Sequence, residues 1–296
     1  MKTMRILYLA ACAAVTSALT ACSPLSVLDS IVPEKGYMKV GNVSYGPFPR
    51  QTLDLYLPKT SQLSHTPVVL FFYGGSWRNG KRSHYRFIGQ ALASRGIAVA
   101  VIDYRVYPKV RFPAFVEDGA KAASLVIRLA PKYGIDPNRL FLMGHSAGAH
   151  IAALLALDKS YLARAGVPHR SVAGLIGLAG PYAFNPLSYD TSRPVFLPAV
   201  NDITKAQPVS HVSDGAPPAL LLHGDADETV IPGNTEKLAH ALEKMGVPTR
   251  AKIYPGIGHY RIILSIAAPF QGSPPVLRDI VDFIKLSVGG RDAQES

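Results

Sequence analysis

Short apolar runs alternate along the chain with longer segments of helical periodicity. The strand-like runs are 37–45, 51–57, 68–73, 97–102, 140–143, 172–179, 219–222 and 251–254. The first two mix apolar and polar residues on either side of the turn-forming stretch Gly46-Pro47-Phe48-Pro49, which predicts an antiparallel hairpin at a sheet edge. The later runs are continuously apolar, a pattern typical of strands that are covered on both faces.

Helical segments separate these runs. They are 85–94, 114–133, 147–157, 235–245 and 276–286. Strands that alternate with helices predict an α/β fold with a doubly wound, mostly parallel sheet, here of eight strands. The sequence contains no internal repeat, and we expect a single domain over 37–288 followed by a flexible tail at 289–296.

The pattern breaks between 181 and 217, where prolines are frequent and periodicity is weak. A segment of this length without obvious structure inside a compact domain is usually functional or mobile. We therefore expect it to form a small cap insertion over a site.

Residues 144–148 read Gly-His-Ser-Ala-Gly and join a strand-like run to a helical one. This G-x-S-x-G pattern in a strand–turn–helix context is typical of a nucleophile elbow, in which flanking glycines permit a tight turn that exposes the serine. The pattern alone is weak, because five letters recur by chance. Ser146 is the candidate nucleophile and needs a base and an acid.

In a hydrolase with this elbow, the acid and then the base follow the serine along the chain. The loop after run 219–222 carries Asp227, and the loop after run 251–254 carries His259. We predict that Asp227 orients His259 and that His259 takes the proton of Ser146. Asp225 and Glu228 share the acidic loop and are the alternatives for the acid.

Other histidines are weaker candidates for the base. His240 falls inside the helical segment 235–245, and His145 occupies the variable position of the elbow, so neither is expected to swing beside Ser146.

The strand-like run 68–73 ends in Gly74-Gly75, whose backbone can turn N–H groups into a site. We predict an oxyanion hole formed by the N–H groups of Gly74, Gly75 and Ala147, although an ordinary turn at a strand end is the alternative for the double glycine. Aromatic side chains can line an acyl or aryl pocket, and plain core packing is their alternative. The candidates are Trp77, Tyr182 and Phe184.

From about residue 45 to residue 286 the chain resembles the α/β-hydrolase carboxylesterases, near the hormone-sensitive-lipase-like, feruloyl-esterase-like and kynurenine-formamidase-like branches. The motifs that carry the resemblance are Leu53-Asp54-Leu55-Tyr56-Leu57-Pro58, Tyr73-Gly74-Gly75-Ser76-Trp77, Asp103-Tyr104-Arg105, Phe112-Pro113-Ala114, the elbow and His223-Gly224-Asp225-Ala226-Asp227. The resemblance implies an α/β-hydrolase fold and an acyl-enzyme mechanism. Tyr73 stands where the family usually has histidine, which puts in question the hydrogen bonds that brace the glycine loop.

The charged cluster Asp103-Tyr104-Arg105 follows a strand-like run. A charge pair in this position more often braces neighbouring loops than acts in catalysis. We therefore favour a bracing role and keep catalysis as the alternative.

The N-terminus resembles a bacterial lipoprotein signal. Lys2 and Arg5 precede an apolar run at 6–19, and Leu19-Thr20-Ala21-Cys22 resembles a lipobox. We expect residues 1–21 to be a signal peptide, Cys22 to be lipidated and 22–36 to be a tether, with an ordinary secretory signal as the alternative. By analogy, Ser23 after the cysteine favours the outer membrane of the cell envelope.

Composition limits the remaining choices. The two cysteines both lie in the N-terminal segment, so the domain has neither disulfides nor cysteine metal ligands. Basic residues give a net charge of +11 but are scattered, which favours anionic lipid headgroups over nucleic acid, with a solvated basic surface as the alternative. The chain has no metalloprotease, dinucleotide or P-loop motif, and we expect no metal and no cofactor.

The sequence therefore predicts a lipid-anchored serine carboxylesterase that hydrolyses short-chain acyl or aryl esters of small molecules. A formamidase or a cell-wall feruloyl or acetyl esterase would use the same machinery. A binding lipoprotein that retains the fold without catalysis is the alternative of another class. The sequence does not indicate an oligomeric state.

Overall fold

An eight-stranded sheet organises the part of the chain that the computed structural model describes, residues 32–59 and 65–295. The strands are β1 (Tyr37–Ser44), β2 (Thr52–Pro58), β3 (Thr66–Phe72), β4 (Ala98–Ile102), β5 (Ile135–His145), β6 (Val172–Leu178), β7 (Ala219–Gly224) and β8 (Thr249–Tyr254). Their order across the sheet is β1-β2-β4-β3-β5-β6-β7-β8. The predicted signal peptide, Cys22 and most of the predicted tether lie outside the described residues.

The sheet is parallel from β4 to β8 and antiparallel at its N-terminal edge. β2 pairs antiparallel with β1, as predicted, and it also pairs antiparallel with β4. The predicted α/β fold with eight strands is confirmed. Because β3 to β8 run in one direction, their carboxyl ends meet at the same edge, where α/β sheets carry their chemistry.

Helices cover both faces of the sheet. They are α1 (Arg86–Ala93), α2 (Ala114–Tyr133), α3 (Ala147–Leu157), α4 (Lys159–Arg164), α5 (Arg193–Phe196), α6 (Gly233–Lys244), α7 (His259–Leu264) and α8 (Val276–Glu295). α8 extends to Glu295, across most of the stretch that the sequence analysis expects to be a tail. The composition of 291–295, Arg-Asp-Ala-Gln-Glu, contains good helix formers that favour this continuation.

The central helix α3 is buried along its whole length. Its sequence is apolar on every side except for His150, and a helix that is apolar all round belongs in a core. A Cβ on Gly148 would lie only 2.1 Å from the carbonyl oxygen of Phe72, so glycine lets the start of α3 approach the end of β3. This contact brings the turn before α3 next to the loop after β3.

The segment 181–217 folds into short turns and the four-residue helix α5 rather than into long elements. Val195 and Phe196 are fully buried and fasten it to the domain. Among the described residues, no helix is long and apolar enough to cross a membrane.

Candidate active site

Ser146 lies in the turn between β5 and α3 with φ 55° and ψ −125°, a conformation that is strained for a residue with a side chain. The turn is tight because a Cβ on Gly144 would lie 2.2 Å from the carbonyl oxygen of Gly148. The Ser146 N–H donates to the carbonyl oxygen of Leu178 at 2.9 Å, which fixes the turn to the end of β6. The elbow thus holds Ser146 at the carboxyl edge of the sheet.

The structure brings Ser146, His259 and Asp227 together. His259 Nε2 lies 2.9 Å from Ser146 Oγ, and His259 Nδ1 lies 2.7 Å from Asp227 Oδ2. Asp227 follows β7, whereas His259 is the first residue of α7, a helix that the sequence did not predict. The histidine and the aspartate are buried, so water competes little for these hydrogen bonds.

Four donors surround the Asp227 carboxylate. Oδ1 accepts from the N–H groups of Thr229 and Val230, both at 2.9 Å, and Oδ2 lies close to His259 and, at 3.2 Å, to His223 Nε2. Burial alone would raise the pKa of Asp227, but the hydrogen bonds from His223, His259 and Val230 lower it well below its usual range. The carboxylate is therefore ionised and can hold an imidazolium.

His223 is a contact of the acid that the sequence analysis did not assign. Its Nε2 lies 2.7 Å from the carbonyl oxygen of Val230 and 3.2 Å from Asp227 Oδ2. Since both partners are acceptors, Nε2 must carry a proton. Nδ1 lies 2.7 Å from the hydroxyl of Thr235. The one sequence feature that could have indicated this contact is a histidine at the end of an apolar strand, immediately before the acidic loop.

The alternative acids occupy other places. Asp225 Oδ1 accepts from the N–H of Gly256 at 2.6 Å and so ties its loop to the loop that leads to α7. Glu228 is exposed, and no contact joins it to His259. The geometry therefore favours Asp227 over Asp225 and Glu228.

His240 is exposed on α6. His145 is buried and contacts the backbone of His259. His145 Nε2 lies 2.9 Å from the carbonyl oxygen of His259. Burial, together with the neighbouring His259, lowers the pKa of His145 to about 3. His145 is therefore neutral near pH 7, and its Nε2–H donates to that carbonyl.

The loop after β3 carries three consecutive residues with positive φ: Gly75 at 127°, Ser76 at 53° and Trp77 at 58°. A Cβ on Gly74 would lie 3.0 Å from Ser146 Cβ, so the loop rests directly against the serine. Gly74, Gly75 and the first residue of α3, Ala147, all lie near Ser146. Ser76 also lies beside it, a position that the focus on the double glycine missed.

Tyr73, which stands where the family usually has histidine, is hydrogen-bonded to side chains from other parts of the chain. Its hydroxyl donates to Asp103 Oδ1 at 2.7 Å and accepts from Arg50 Nη2 at 2.6 Å. Arg50 Nη2 also donates to the carbonyl oxygen of Gly80 at 2.8 Å, and Tyr104 Oη donates to the Tyr73 carbonyl at 2.7 Å. Both ends of the glycine loop are therefore braced.

The cluster Asp103-Tyr104-Arg105 has this bracing role. Asp103 accepts from the backbone N–H of Arg82 at 2.8 Å and from its guanidinium at 2.5 Å, and the same guanidinium contacts Asp54 Oδ1 at 3.0 Å. Arg105 pairs with the buried carboxylate of Asp118 at 2.7 Å. None of these contacts reaches Ser146, which agrees with the favoured interpretation.

Two cavities meet at Ser146. The larger, of about 480 Å³, is lined among others by Trp77, Ala147, Phe184, Asn185, Glu228 and Lys237. The smaller, of about 210 Å³, is lined among others by Gly74, Gly75, Tyr85, His259, Tyr260 and Ile263. Within residues 32–59 and 65–295, no group of His, Cys, Asp or Glu side chains could hold a metal ion.

Trp77 and Phe184 line the larger cavity with stacked rings, 5.8 Å between centroids and 5° between planes. Tyr182 does not belong to either lining, and its assignment to the pocket is corrected. Its ring is fully buried, because it fills the space left by two glycines; a Cβ on Gly177 would lie 1.9 Å from its hydroxyl and a Cβ on Gly180 2.3 Å from its ring.

Comparison with known proteins places these features in a family. Residues 53–242 match the BD-FAE family model. A probable isoprenylcysteine alpha-carbonyl methylesterase of Oryza sativa subsp. japonica is 30% identical over 292 residues, covering 87% of this chain and 69% of that protein. Esterase LipC of Mycobacterium tuberculosis is 30% identical over 250 residues, covering 75% of this chain and 60% of that protein. The chain spans about half to two thirds of the length of such curated relatives.

The fold is shared with solved structures. An inhibited esterase B from Lactobacillus rhamnosis superposes with a TM-score of 0.79 at 21% identity, covering 97% of this chain and 98% of that one. A truncated carbohydrate esterase from gut microbiota gives a TM-score of 0.71 at 23% identity, with 87% and 99% covered. With the elbow, the buried strand before the glycine loop and the match over 53–242, the chain belongs to the BD-FAE family of the α/β-hydrolase carboxylesterases.

Proposed function

We propose that the protein is a serine carboxylesterase that hydrolyses short-chain acyl or aryl esters. The observation that carries the proposal is the hydrogen-bonded chain from Ser146 Oγ to His259 Nε2, 2.9 Å, and from His259 Nδ1 to Asp227 Oδ2, 2.7 Å. A serine hydroxyl becomes a nucleophile only when a base takes its proton, and these contacts place the base and its orienting acid in reach.

In the first half of the reaction, Ser146 Oγ bonds to the ester carbonyl carbon while its proton passes to His259 Nε2. The tetrahedral intermediate then loses the alcohol, which takes that proton from the imidazolium. Asp227 stays ionised and holds the ring in the orientation that both transfers need. Water repeats the sequence on the acyl-enzyme and releases the acid and Ser146.

Negative charge on the former carbonyl oxygen requires donors that are already in place. The N–H groups of Gly74, Gly75 and Ala147 are the proposed donors, and the N–H of Ser76 is a fourth candidate because the loop with three positive φ values passes beside Ser146. Removal of one such donor typically costs about 3–4 kcal/mol in the transition state.

Hydrolysis of a formyl amide or of a cell-wall feruloyl or acetyl ester would use the same groups. The names of the relatives, methylesterases and esterases, favour an ester over an amide. A binding protein that only retains the fold would not need Ser146 in hydrogen-bond contact with His259.

Covalent labelling tests the proposal. A fluorophosphonate should label the protein once, at Ser146, and labelling should abolish hydrolysis of 4-nitrophenyl acetate. A folded protein that takes up no label and turns over no ester would be a binding protein. Labelling with hydrolysis of a formyl anilide but not of esters would favour the formamidase.

We also propose that Cys22 is lipidated and anchors the enzyme in the bacterial cell envelope, at the outer membrane. Leu19-Thr20-Ala21-Cys22 supports this proposal, and acyl chains contribute about 0.8 kcal/mol of membrane affinity per buried methylene. In metabolic labelling with a clickable fatty acid, wild type should take up label and Cys22→Ala should not. Equal uptake, or none in wild type, would leave an ordinary secretory signal.

A further inference from the structure

The first described residues of the chain lie along α1. Arg86, the first residue of that helix, donates to the carbonyl oxygen of Val32 at 3.4 Å and pairs with Glu34 at 3.1 Å. A Cβ on Gly36 would lie 3.4 Å from the Cβ of Ser94, which directly follows the last residue of α1. This segment therefore runs from the start of α1 to its end, and Val32, where the described chain begins, lies at the start.

The start of α1 lies at the carboxyl edge of the sheet, because α1 follows β3 and leads to the amino end of the parallel strand β4. Tyr85, the residue before α1, lines the smaller cavity at Ser146. Ten residues lead from Cys22 to Val32, and they can span at most about 36 Å. A lipid anchor at Cys22 therefore attaches the domain to the membrane at the edge that carries the active site.

Exposed apolar and aromatic side chains surround the opening at this edge. Tyr189 and Ile231 line the larger cavity and Tyr260 lines the smaller one, and these residues are 56%, 64% and 66% exposed. A single exposed apolar residue is ordinary, but a group around one opening marks an interaction site. Tyrosine is enriched at membrane–water interfaces, where its ring faces the apolar layer and its hydroxyl faces water.

A cationic patch lies on the loops after β3 and β4, formed by Arg78, Lys109 and Arg111 around Tyr107. The guanidinium carbons of the two arginines lie 4.5 and 5.8 Å from the centre of the Tyr107 ring. The Tyr107 N–H donates to the carbonyl oxygen of Trp77 at 2.9 Å, which joins the patch to the glycine loop. In the part of the chain that the structure describes, none of the three cations pairs with a carboxylate.

We propose that this edge of the domain, with the mouth of the active site, docks on the surface of an anionic phospholipid bilayer. The exposed ring of side chains lies at the headgroups, and the cationic patch faces their negative charge. The exposed carboxylates of Asp225 and Glu228 follow β7, on the other side of β5 in the sheet, so they leave the patch positive. The inference rests on the proposed lipidation of Cys22 for attachment, but the docking surface consists of side chains of the domain itself.

Spin-labelled lipids test which edge of the domain faces the bilayer. The two cysteines of the sequence are Cys12 and Cys22, so an introduced cysteine is the only free thiol after signal cleavage and lipidation. Ile231→Cys places a fluorophore before α6, beside the mouth, and Met245→Cys places the same fluorophore after α6, at the amino edge of the sheet. Met245 is also exposed, and the helix separates the two positions by about 18 Å.

The full-length protein is extracted from membranes and reconstituted into vesicles of phosphatidylcholine and phosphatidylglycerol that contain a doxyl-labelled lipid. The fluorophore at Ile231→Cys should lose most of its emission, and the fluorophore at Met245→Cys should keep most of it. Equal quenching at the two positions, or stronger quenching at Met245→Cys, would overturn the proposal. So would an Ile231→Cys fluorophore that is shielded as protein concentration rises but is not quenched by the lipid, because a second copy then covers the mouth.

One cation at each edge provides a matched pair for the electrostatic part. Lys109→Gln and Lys244→Gln make the same change of charge, the first in the cationic patch and the second at the end of α6. Each is combined with Ile231→Cys, in vesicles whose phosphatidylglycerol content gives half-maximal quenching of the parent. Lys109→Gln should weaken docking about fivefold, the usual effect of one cation near an anionic surface, and Lys244→Gln should not. Equal losses would mean that net charge, not this surface, attracts the lipid.

Fatty-acid labelling and hydrolysis of 4-nitrophenyl acetate by the wild-type preparation separate this inference from the proposed function. If the protein is lipidated and active but the lipid does not quench the Ile231→Cys fluorophore preferentially, only the docking surface is refuted. If the protein takes up no fatty acid, the anchor is refuted, and addition of the full-length protein to preformed vesicles still decides about the surface. Preferential quenching at Ile231→Cys then supports the surface, and its absence refutes it.

Discussion

The two sides of Ser146 are held in place by different means. On the acid–base side, Asp227 is fixed by N–H groups of its own strand-end loop, those of Thr229 and Val230, and the backbone of His259 accepts a hydrogen bond from His145. On the side of the proposed oxyanion donors, the glycine loop is held by side chains from outside the loop, such as Arg50, which contacts Tyr73. The acid is therefore held largely by the backbone of its own loop, whereas the glycine loop depends on side chains that lie outside it.

Because of this difference, we expect substitutions on the two sides to reduce activity in different ways. Loss of a triad group removes the chemistry itself, whereas loss of a bracing group leaves the chemistry in place and moves its electrostatic support. A misplaced donor loses most of its effect, because it must point at the position that the oxyanion occupies.

The largest expected effect is at Ser146. Ser146→Ala should lower kcat for 4-nitrophenyl acetate by about 10⁶, because no other group can form the acyl-enzyme. Thermal unfolding should show an unchanged or higher Tm, since alanine removes only the hydroxyl. Near-native activity in this variant would refute the mechanism on both sides of the serine.

The acid should come next. Asp227→Asn should lower kcat by about 10⁴, because an amide favours the wrong tautomer of His259. Asp225→Asn is the matched control, with the same chemical change two residues away on a side chain that only braces the neighbouring loop, and it should lose far less. The reverse ranking in kcat would transfer the role of acid to Asp225.

On the oxyanion side, Tyr73→Phe removes the hydroxyl that joins Asp103 and Arg50. We expect kcat to fall by about 10 to 100-fold, less than the loss of a donor itself, with little change in KM. Tyr182→Phe is the matched control, a fully buried tyrosine that lines neither cavity and does not join this network. If Tyr73→Phe alters Tm but not kcat, the network supports the fold and not the loop.

A smaller effect is expected at His223, the second histidine on Asp227. His223→Leu removes a donor from the carboxylate and should lower kcat by roughly tenfold, in line with the loss of an outer hydrogen bond at a site. His223→Gln can still donate to Asp227 and should recover most of the rate. Equal losses in both variants would mean that the ring's volume, not its hydrogen bond, is what matters.

The smallest effect concerns stability. Burial lowers the pKa of His145 to about 3 and that of His150 to about 4, so both are neutral in the folded state near pH 5 while the unfolded chain takes up protons below about 6.5. The free energy of unfolding should therefore fall between pH 6.5 and about 4, by up to about 1.4 kcal/mol per pH unit for each histidine. Urea unfolding at pH 7.5 and pH 5.0 measures this slope.

His150→Gln serves as the comparison for that measurement. It removes one of the two titrating rings but keeps an N–H that can donate to the carbonyl oxygen of Ala206. Its stability should fall less steeply with decreasing pH than that of wild type. An equally steep fall would assign the acid sensitivity to other groups.

The same contrast explains what the sequence could predict. The elbow and the order of acid and base follow from strand ends and short motifs, so the positions of Ser146, Asp227 and His259 could be proposed before the structure was known. Tyr182 was wrongly assigned to the pocket, because the sequence around it and Phe184 does not distinguish an aromatic ring in the core from one that lines a pocket. The Tyr182 ring lies in the core because Gly177 and Gly180, which have no side chains, leave the space that it fills.

The pattern of apolar and polar residues does not predict contacts between distant segments of the chain. The sequence shows that Tyr73 stands where the family usually has histidine. It does not show that Arg50 and Asp103 form hydrogen bonds with the Tyr73 hydroxyl. The helix α7 was missed because six residues give too little periodicity to stand out from a loop.

The origin of the bracing side chains has a practical consequence for anyone who shortens or recombines this domain. Tyr45 donates to the Asp103 carbonyl at 2.5 Å, and Arg50 and Asp54 hold the loop that follows β3 and its continuation. The segment of β1, β2 and the turn between them supplies no group to the reaction, but it holds the glycine loop in place. The segment and the loop should therefore be exchanged together. A chimera whose junction falls between β2 and β3 should fold around a complete triad and still be slow, unless both segments come from the same parent.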